Sequence, residues 1–295
     1  MNANTENKFG SVRSAIRIAI ATSLFLAAFK FTAGCKTHSL AIMASALDSL
    51  MDAGMSIVNY IAVKEASKPP DKEHEYGHGK IESLAGLFQS SLIMIGGLFL
   101  VTEAMKRLIS GEVLLHPGYG AVVMSISLAI TFILVQFLRK KAKKSGSLIM
   151  QAEKVHFASD VFAGVGIIGA LALAYVTKMP VWDLVFSLVI AAWIFRSSFR
   201  ILKQSIDELL DRSLPAATRE KIEKIILSYD GRISGLHEFR SHKVGRKIFL
   251  DFHLEIRDIQ EFTKAHEVTE GLISRIQGVY PGADVTIHYD PQGED

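Results

Sequence analysis

Residues 83–102 read SLAGLFQSSLIMIGGLFLVT, a run of 20 residues without a charged side chain. A second uncharged run covers residues 117–138. A helix needs about 20 apolar residues to cross the ~30 Å hydrocarbon core of a bilayer. Both runs therefore predict transmembrane helices.

Four further apolar segments accompany these two runs within the first 206 of the 295 residues. Six transmembrane helices are predicted, over Ile16–Ala33, Leu40–Val63, Ser83–Met105, Gly118–Leu138, Leu148–Val176 and Val181–Leu202. A soluble bundle would have to bury six such helices, and a mean hydropathy of +0.27 disfavours that alternative. Arg17, Lys30, Arg196 and Arg200 flank the first and sixth segments, and their side chains are long enough to extend to the membrane surface.

Charge is distributed unevenly between two parts of the chain. Residues 1–206 carry 21 Lys and Arg against 13 Asp and Glu, whereas residues 207–295 carry 12 against 17. Basic and aromatic residues do not alternate as they do in base-stacking proteins, so nucleic-acid binding is disfavoured. By the positive-inside rule, the most basic segments lie in the cytoplasm together with both termini. The basic residues of these segments are Lys8, Arg13 and Arg17, then Lys64, Lys68, Lys72 and Lys80, then Arg139, Lys140, Lys141, Lys143 and Lys144.

Short alternating segments replace the long apolar runs after residue 206. The order αββαβ predicts a small cytosolic α+β domain over residues 207–295, which follows a six-helix transmembrane domain over residues 1–206. The predicted helices cover Thr218–Ser228 and Thr263–Gln277, and the strands cover Ile233–Val244, Lys247–Ile256 and Asp284–Tyr289, with a turn at Gly245–Arg246.

Two pairs of ionisable residues lie inside predicted membrane helices. Asp48 and Asp52 are four residues apart, and so are His156 and Asp160, so each pair shares one helix face. Ionisable groups in a bilayer are costly and usually face a partner, a cavity or a pathway. No Lys or Arg lies near the middle of any segment, so the expected partner is a cation from solution. Three carboxylates and one imidazole form a ligand set suited to tetrahedral Zn²⁺.

Pairing with basic residues at the membrane interface is the alternative for these groups. Asp48 and Asp52 are each more than ten residues from Lys36 and Lys64, which disfavours it. Cys35 is the single cysteine, so one chain cannot form a disulfide framework or a cysteine-rich zinc site. Since no candidate ligand set contains sulfur, Cu⁺ is disfavoured as well.

Residues 69–80, which follow the second segment, read PPDKEHEYGHGK. Asp71, His74 and His78 are spaced i, i+3 and i+7 and are candidate ligands of a second metal. A solvated charged loop is the alternative interpretation of this motif.

Histidine is frequent in the predicted cytosolic domain. His253 lies on the polar face of its strand, and His288 and Asp290, two residues apart, point to one side of theirs. These residues suggest a third metal site, although the sequence does not establish that they converge. The histidines of this domain are His237, His242, His253, His266 and His288.

Five stretches together resemble the cation diffusion facilitator family, and most closely its bacterial zinc and ferrous-iron efflux branch. They are ALDSLMD (46–52), YGHGKIESLA (76–85), HFASD (156–160), LLDR (209–212) and IHYDP (287–291). The resemblance covers nearly the whole chain. It implies a homodimeric metal/proton antiporter of the inner membrane with a metallochaperone-like cytosolic domain, and neither an enzyme nor a protein with an organic cofactor.

The resemblance also implies three metal sites and one salt bridge. His242 has no counterpart in the family pattern. The implied residues are Asp48, Asp52, His156 and Asp160 for the transport site, Asp71, His74 and His78 for the loop site, His237, His253, His266, His288 and Asp290 for a cytosolic binuclear site, and Lys80 with Asp211 for an interlock between membrane and cytosolic parts.

The expected function is therefore export of Zn²⁺ in exchange for protons, with Cd²⁺, Fe²⁺ and Mn²⁺ as further candidate substrates. A membrane metallohydrolase and a membrane-anchored metal sensor are the alternatives from other classes. The hydrolase is disfavoured because the predicted intramembrane ligands already number four, which fits a closed metal site without an open coordination position. An uptake carrier would use the same site chemistry, and only the resemblance favours export.

Overall fold

A computed structural model describes residues 3–37, 40–110, 119–177, 181–245, 247–257 and 262–291. Within these ranges the chain forms eight helices and one three-stranded sheet. It divides into two compact units, Ala3–Ile206 and the part that begins at Asp207.

The first unit consists of long helices. All six predicted apolar segments lie within them, apart from Gly118, which is outside the described residues. The shortest helices have 27 residues and are therefore about 40 Å long, more than the thickness of the hydrocarbon core. The helices are α1 (Ala3–Thr37), α2 (Leu40–Ala66), α3 (Lys80–Ser110), α4 (Tyr119–Ser145), α5 (Leu148–Thr177) and α6 (Val181–Leu209).

Four of these helices are long and apolar enough to cross a membrane by length and composition alone. The stretches are Gly10–Lys36, Lys80–Glu103, Val122–Ser145 and Leu184–Leu209, in α1, α3, α4 and α6. In the described residues, α2 and α5 do not meet the same criterion. These are the two helices that carry the intramembrane Asp and His pairs.

Part of the interior of the first unit is an apolar core. Ile16, Leu138 and Phe157 belong to one buried cluster that joins α1, α4 and α5. The outer surface carries large exposed apolar side chains, among them Phe99 and Ile133. Water would penalise so much exposed apolar area, whereas lipid tails would not, so this surface suits a bilayer.

The second unit has the predicted order αββαβ, which is confirmed. Strand order in the sheet is β1-β2-β3, with β1 and β2 antiparallel and β2 and β3 parallel. Arg246, in the predicted turn, lies outside the described residues. The elements are α7 (Ala216–Leu227), β1 (Ile233–Val244), β2 (Lys247–Ile256), α8 (Phe262–Val279) and β3 (Asp284–Pro291).

Alternation along β2 separates a hydrophobic face from a polar face. Phe252 and Leu254 are fully buried and pack with Ile226 of α7 and Leu272 of α8. Because successive side chains of a strand point to opposite faces, both helices cover one side of the sheet. His253 lies on the other side.

Candidate metal centres

One face of α2 carries a continuous row of polar side chains, the α2 polar stripe, formed by Ser45, Ser49, Asp52, Ser56 and Asn59. Their spacing of four and three residues places them on one side of the helix. Side chains from α1, α3 and α5 form hydrogen bonds with the stripe. The stripe therefore organises the polar interior of the first unit.

The membrane group consists of Asp52 on the stripe together with His156 and Asp160 on α5. One ligand atom of each side chain lies within 4.8 Å of those of the other two. Nε2 of His156 is 3.0 Å from Oδ1 of Asp52. Two carboxylates and one imidazole at these distances are suited to a divalent cation.

Asp48, the fourth predicted ligand, lies one turn before Asp52 and is exposed. It does not belong to the group whose ligand atoms all lie within 4.8 Å of one another. Because Asp48 lies outside that group, its side chain or the helix needs a shift to complete the set. Its role as a ligand stays a prediction.

Lys30 of α1 points into the first unit and not outward, so the interpretation that its side chain extends to the membrane surface is wrong for this residue. The residue is only 9% exposed, and Nζ donates a 2.9 Å hydrogen bond to Oγ of Ser49 on the α2 polar stripe. A charged side chain extends outward when the bundle offers no polar partner, and here the α2 polar stripe provides two, Oγ of Ser49 and the backbone oxygen of Ser45.

A second buried polar cluster, which the sequence analysis missed, lies about one turn from the membrane group. Glu153 of α5 is fully buried and precedes His156 by three residues. Its carboxylate accepts hydrogen bonds from Ser56 and Asn59 of the stripe and a 3.3 Å bond from Nε2 of Gln89 on α3. Nδ2 of Asn59 also donates to Oε1 of Gln89 at 3.0 Å. The four side chains Glu153, Ser56, Asn59 and Gln89, named the Glu153 cluster, connect α2, α3 and α5.

The three loop candidates meet between α2 and α3. Ligand atoms of Asp71, His74 and His78 lie within 4.8 Å of one another. The backbone N–H groups of His74 and Glu73 donate to Oδ1 of Asp71 at 2.7 and 3.0 Å. These bonds, above all that from His74, hold the pKa of the Asp71 carboxyl below its usual value. The loop therefore offers an ionised carboxylate beside two imidazoles.

Strand register brings three histidines into one row across the sheet of the second unit. His237 of β1 pairs with His253 of β2, which pairs with His288 of β3. Oδ2 of Asp290 is 2.8 Å from Nδ1 of His253 and 3.0 Å from Nε2 of His237. Oδ1 of Asp290 is 3.2 Å from Nε2 of His288. One carboxylate thus contacts three imidazoles, which together form the cytosolic cluster.

Hydrogen bonding to His253 is the main cause that lowers the pKa of the Asp290 carboxyl, so this ligand stays ionised at neutral pH. Ligand atoms of His237, His253 and Asp290 lie within 4.8 Å of one another. His266, also predicted for this site, lies exposed on α8 and does not belong to that group. Its role as a ligand stays a prediction.

Two family models match the chain in succession. Residues 16–210 match the cation efflux transmembrane domain, and residues 214–292 match the cytoplasmic domain of cation efflux proteins. The chain belongs to the cation efflux family. Both units thus fall within matched parts of a cation efflux protein.

Named relatives extend this match over both units. The cation-efflux pump FieF of Citrobacter koseri is 38% identical over 279 residues, which are 95% of this chain and 92% of that protein. FieF of Serratia proteamaculans is 36% identical over 280 residues, 95% of this chain and 93% of that protein. FieF of Shewanella oneidensis is 34% identical over 282 residues, which are 95% of this chain and 94% of that protein. The cation efflux family is therefore one of transporters and not of enzymes.

Two glutamates of this cation efflux protein lie beside the cytosolic cluster and were not predicted. Oε1 of Glu255 is 3.5 Å from Nδ1 of His237, and Oε2 of Glu238 is 3.8 Å from Nε2 of His253. Glu255 could have been found, because it follows His253 by two residues on the same strand face. Glu238 lies where the β1–β2 register shifts before Arg240, and such a bulge leaves no clear sequence signal.

The predicted interlock of this cation efflux protein pairs Lys80 with Asp211. Lys80 begins α3, and Asp211 follows α6 with a φ of 52°. Oδ1 of Asp211 is 3.7 Å from Nε2 of His242, a histidine outside the predicted sites. Lys80 and Asp211 belong to different units, and their pairing stays a prediction.

Proposed function

We propose that this cation efflux protein exports Zn²⁺ in exchange for protons, with Cd²⁺, Fe²⁺ and Mn²⁺ as further candidate substrates. The observation that carries the proposal is the membrane group, in which Asp52, His156 and Asp160 converge between two helices of the first unit. A mixed set of imidazole and carboxylates suits Zn²⁺ better than a set of oxygen ligands alone. Asp48 is the proposed fourth ligand.

Proton coupling follows from the chemistry of these ligands. Aspartate and histidine bind a metal only after they lose their protons, so metal and protons compete for the same atoms. Imidazole, with a reference pKa of about 6.5, exchanges protons near neutral pH. In the proposed cycle the metal enters from the cytosol, α2 and α5 move against the other helices, and incoming protons displace the metal on the outer side.

The exposure of side chains around the membrane group supports an outward-open state. In the proposed topology all six helices cross the inner membrane and both termini are cytoplasmic. Asp48 and Asp160 then lie on the outer side of the group, and Ser56 and Glu153 lie on the cytosolic side. The outer pair is exposed, whereas the cytosolic pair is buried. The Glu153 cluster would then close the cytosolic entrance in this state.

A membrane-anchored metal sensor would leave the membrane group without a function. A metal sensor would need only the cytosolic cluster, although ionisable groups inside a membrane are costly to maintain. A metallohydrolase would need an open coordination position and a general base. Membership of a transporter family also argues against both.

The second unit is the proposed regulatory and dimerisation domain, residues 207–295. Metal bound at the cytosolic cluster would draw two copies of the chain together, and the Lys80–Asp211 pair would connect each membrane unit to its cytosolic unit. An exposed ion pair contributes only about 0–1 kcal/mol, so the interlock needs partial burial or a charge network. The loop group is the proposed site of a further metal.

Asp290→Ala is expected to weaken metal binding at the cytosolic cluster by about 100-fold while part of the transport remains. The reason is that Asp290 contacts three imidazoles, whereas the proposed ion pathway runs through the first unit. Equilibrium dialysis of the purified protein against Zn²⁺, together with vesicle flux, measures both effects. The control is Asp284→Ala. Asp284 lies on the same strand as Asp290, and its carboxylate accepts a hydrogen bond from Lys247 instead of contacting the histidines. Unchanged Zn²⁺ binding would contradict the cytosolic site.

His156→Asp is expected to retain transport and to move the Zn²⁺/Mn²⁺ preference toward Mn²⁺ by about tenfold. His156 supplies the nitrogen ligand of the membrane group, and Mn²⁺ accepts an all-oxygen set more readily than Zn²⁺ does. The measurement compares fluxes of the two metals in wild-type and variant vesicles. The same substitution at His74 in the loop should leave the ratio unchanged. An unaltered ratio in the His156 variant would mean that this imidazole does not determine metal choice.

The proposed function is tested by metal-stimulated proton flux in proteoliposomes. Purified protein is reconstituted with a pH-sensitive dye inside the vesicles, and Zn²⁺, Cd²⁺, Fe²⁺ and Mn²⁺ are added outside in turn. We expect proton movement opposite to metal movement, with the highest rate for Zn²⁺. Metal uptake without any proton movement would reject antiport.

A further inference from the structure

Lys30 places a buried positive charge beside the α2 polar stripe. Its Nζ donates to Oγ of Ser49 at 2.9 Å and lies 3.5 Å from the backbone oxygen of Ser45. Both partners are neutral. In the described part of the chain, no carboxylate oxygen forms an ion pair with this ammonium group within 4.0 Å. A buried ammonium group with neutral partners alone is costly inside a membrane.

The stripe brings the intramembrane carboxylates close to Lys30. Asp48 precedes Ser49 by one residue, and Asp52 follows Ser49 by three, less than one turn along α2. Asp52 also belongs to the membrane group with Asp160, so the Lys30 ammonium shares the polar surroundings of these carboxylates. These are the carboxylates that the transported cation would use. The compensation for burying Lys30 therefore comes from the charge of the transport site.

We propose that Lys30 is the built-in counter-cation of the membrane group and competes electrostatically with the transported metal. This inference rests on the proposed transport function. When the metal leaves, Lys30 balances part of the negative charge of Asp48, Asp52 and Asp160. When a divalent cation binds, the two positive charges repel each other across a medium of lower dielectric than water. Lys30 thereby weakens metal binding and speeds release.

Removing the Lys30 charge is expected to change the KM for Zn²⁺ flux in the direction opposite to that caused by removing a metal ligand. In Lys30→Met the bound metal no longer meets a competing cation, so the KM for Zn²⁺ flux falls by about tenfold. Turnover at saturating Zn²⁺, kcat, falls as well, because the more tightly held metal is released more slowly. A lost ligand would instead raise KM.

The experiment measures KM and kcat of Zn²⁺ flux in proteoliposomes for wild type and five variants, the first of which is Lys30→Met. Lys30→Arg keeps the charge, and Ser49→Ala removes the hydrogen bond but not the charge. Lys36→Met, at the exposed end of the same helix, is the matched control. Asp52→Ala tests the proposed function separately. Size-exclusion chromatography verifies that each variant is folded, and Lys30→Gln replaces Lys30→Met if the latter does not fold.

The expected result is a lower KM and a lower kcat for Lys30→Met, with Lys30→Arg, Ser49→Ala and Lys36→Met within about twofold of wild type. An unchanged or higher KM for Lys30→Met would overturn the inference. The inference would also be overturned if Ser49→Ala lowered KM and kcat as much as Lys30→Met does. Normal flux in Asp52→Ala would reject the proposed transport site itself. The two failures are therefore distinguishable.

Discussion

Asp52→Ala is expected to lower kcat/KM for Zn²⁺ transport by at least about 100-fold. Asp52 belongs to both the α2 polar stripe and the membrane group, and its Oδ1 lies 3.0 Å from Nε2 of His156. The substitution removes one of the three ligands that the structure brings together. The small hydrophilic cavity left behind is compatible with folding, so the dimer and the cytosolic cluster should remain intact.

Flux in proteoliposomes measures the loss of Zn²⁺ transport, and equilibrium dialysis measures the Zn²⁺ binding that the cytosolic cluster should retain. Asp71→Ala, which removes a carboxylate from the loop group, is the matched control and should retain more transport than Asp52→Ala. If Asp52→Ala transported Zn²⁺ at the wild-type rate, the membrane group would not be the transport site.

Glu153→Ala is expected to destabilise the first unit by about 3 kcal/mol and to impair transport strongly. The carboxylate of Glu153 accepts hydrogen bonds from three buried side chains, and its removal leaves these donors unsatisfied next to a cavity. The Glu153 cluster also connects α2 and α5 close to the membrane group, so its loss should displace the metal ligands.

Stability is measured by unfolding of the detergent-solubilised protein in SDS, and transport by vesicle flux. Glu65→Ala is the control, because Glu65 pairs with Lys68 at a partly exposed position and should contribute less than about 1 kcal/mol. Glu153→Gln, which keeps the side-chain shape, should be intermediate. Equal stability of the Glu153 and Glu65 alanine variants would show that the buried hydrogen bonds contribute little.

The helices and strands could be predicted from the sequence because hydrophobic periodicity is a local property. An uncharged apolar run of about 20 residues, such as residues 83–102, is too long for a strand and therefore predicts a membrane helix. The alternation along residues 247–256 predicts a strand and its buried face. The αββαβ order was predicted for the same reason. Helix ends were less predictable, because polar residues continue the membrane helices beyond the apolar segments.

The meeting of His156 and Asp160 on α5 was equally predictable, since residues four apart share a helix face, whereas Asp48 does not join Asp52 in the membrane group. The contacts that join different helices were not predictable. Nothing in the apolar segment around Ser49 and Asn59 indicates the partners of these two side chains. Only the packing of other helices on α2 shows that Ser49 binds Lys30 and that Asn59 binds Glu153. Glu153 stands next to Lys154 near a helix end, a position typical of solvated residues.

Strand register determined which histidines of the second unit meet. The sequence indicates that His253 and His288 lie on polar strand faces, but it does not give the pairing of His237, His253 and His288 in one row. Register depends on the whole sheet and on the bulge in β1. His266 lies on a helix, so a strand pattern contains no information about its distance from the row.

The most direct test of the account is the ratio of protons to Zn²⁺ moved across the vesicle membrane by the reconstituted wild-type protein. Zn²⁺ and proton fluxes are recorded in the same vesicles with two dyes, and Asp52→Ala vesicles provide the background. The account predicts a constant, opposite proton flux for each Zn²⁺ transported, which disappears in Asp52→Ala. Zn²⁺ flux that leaves internal pH unchanged, or that persists in Asp52→Ala, would contradict the account.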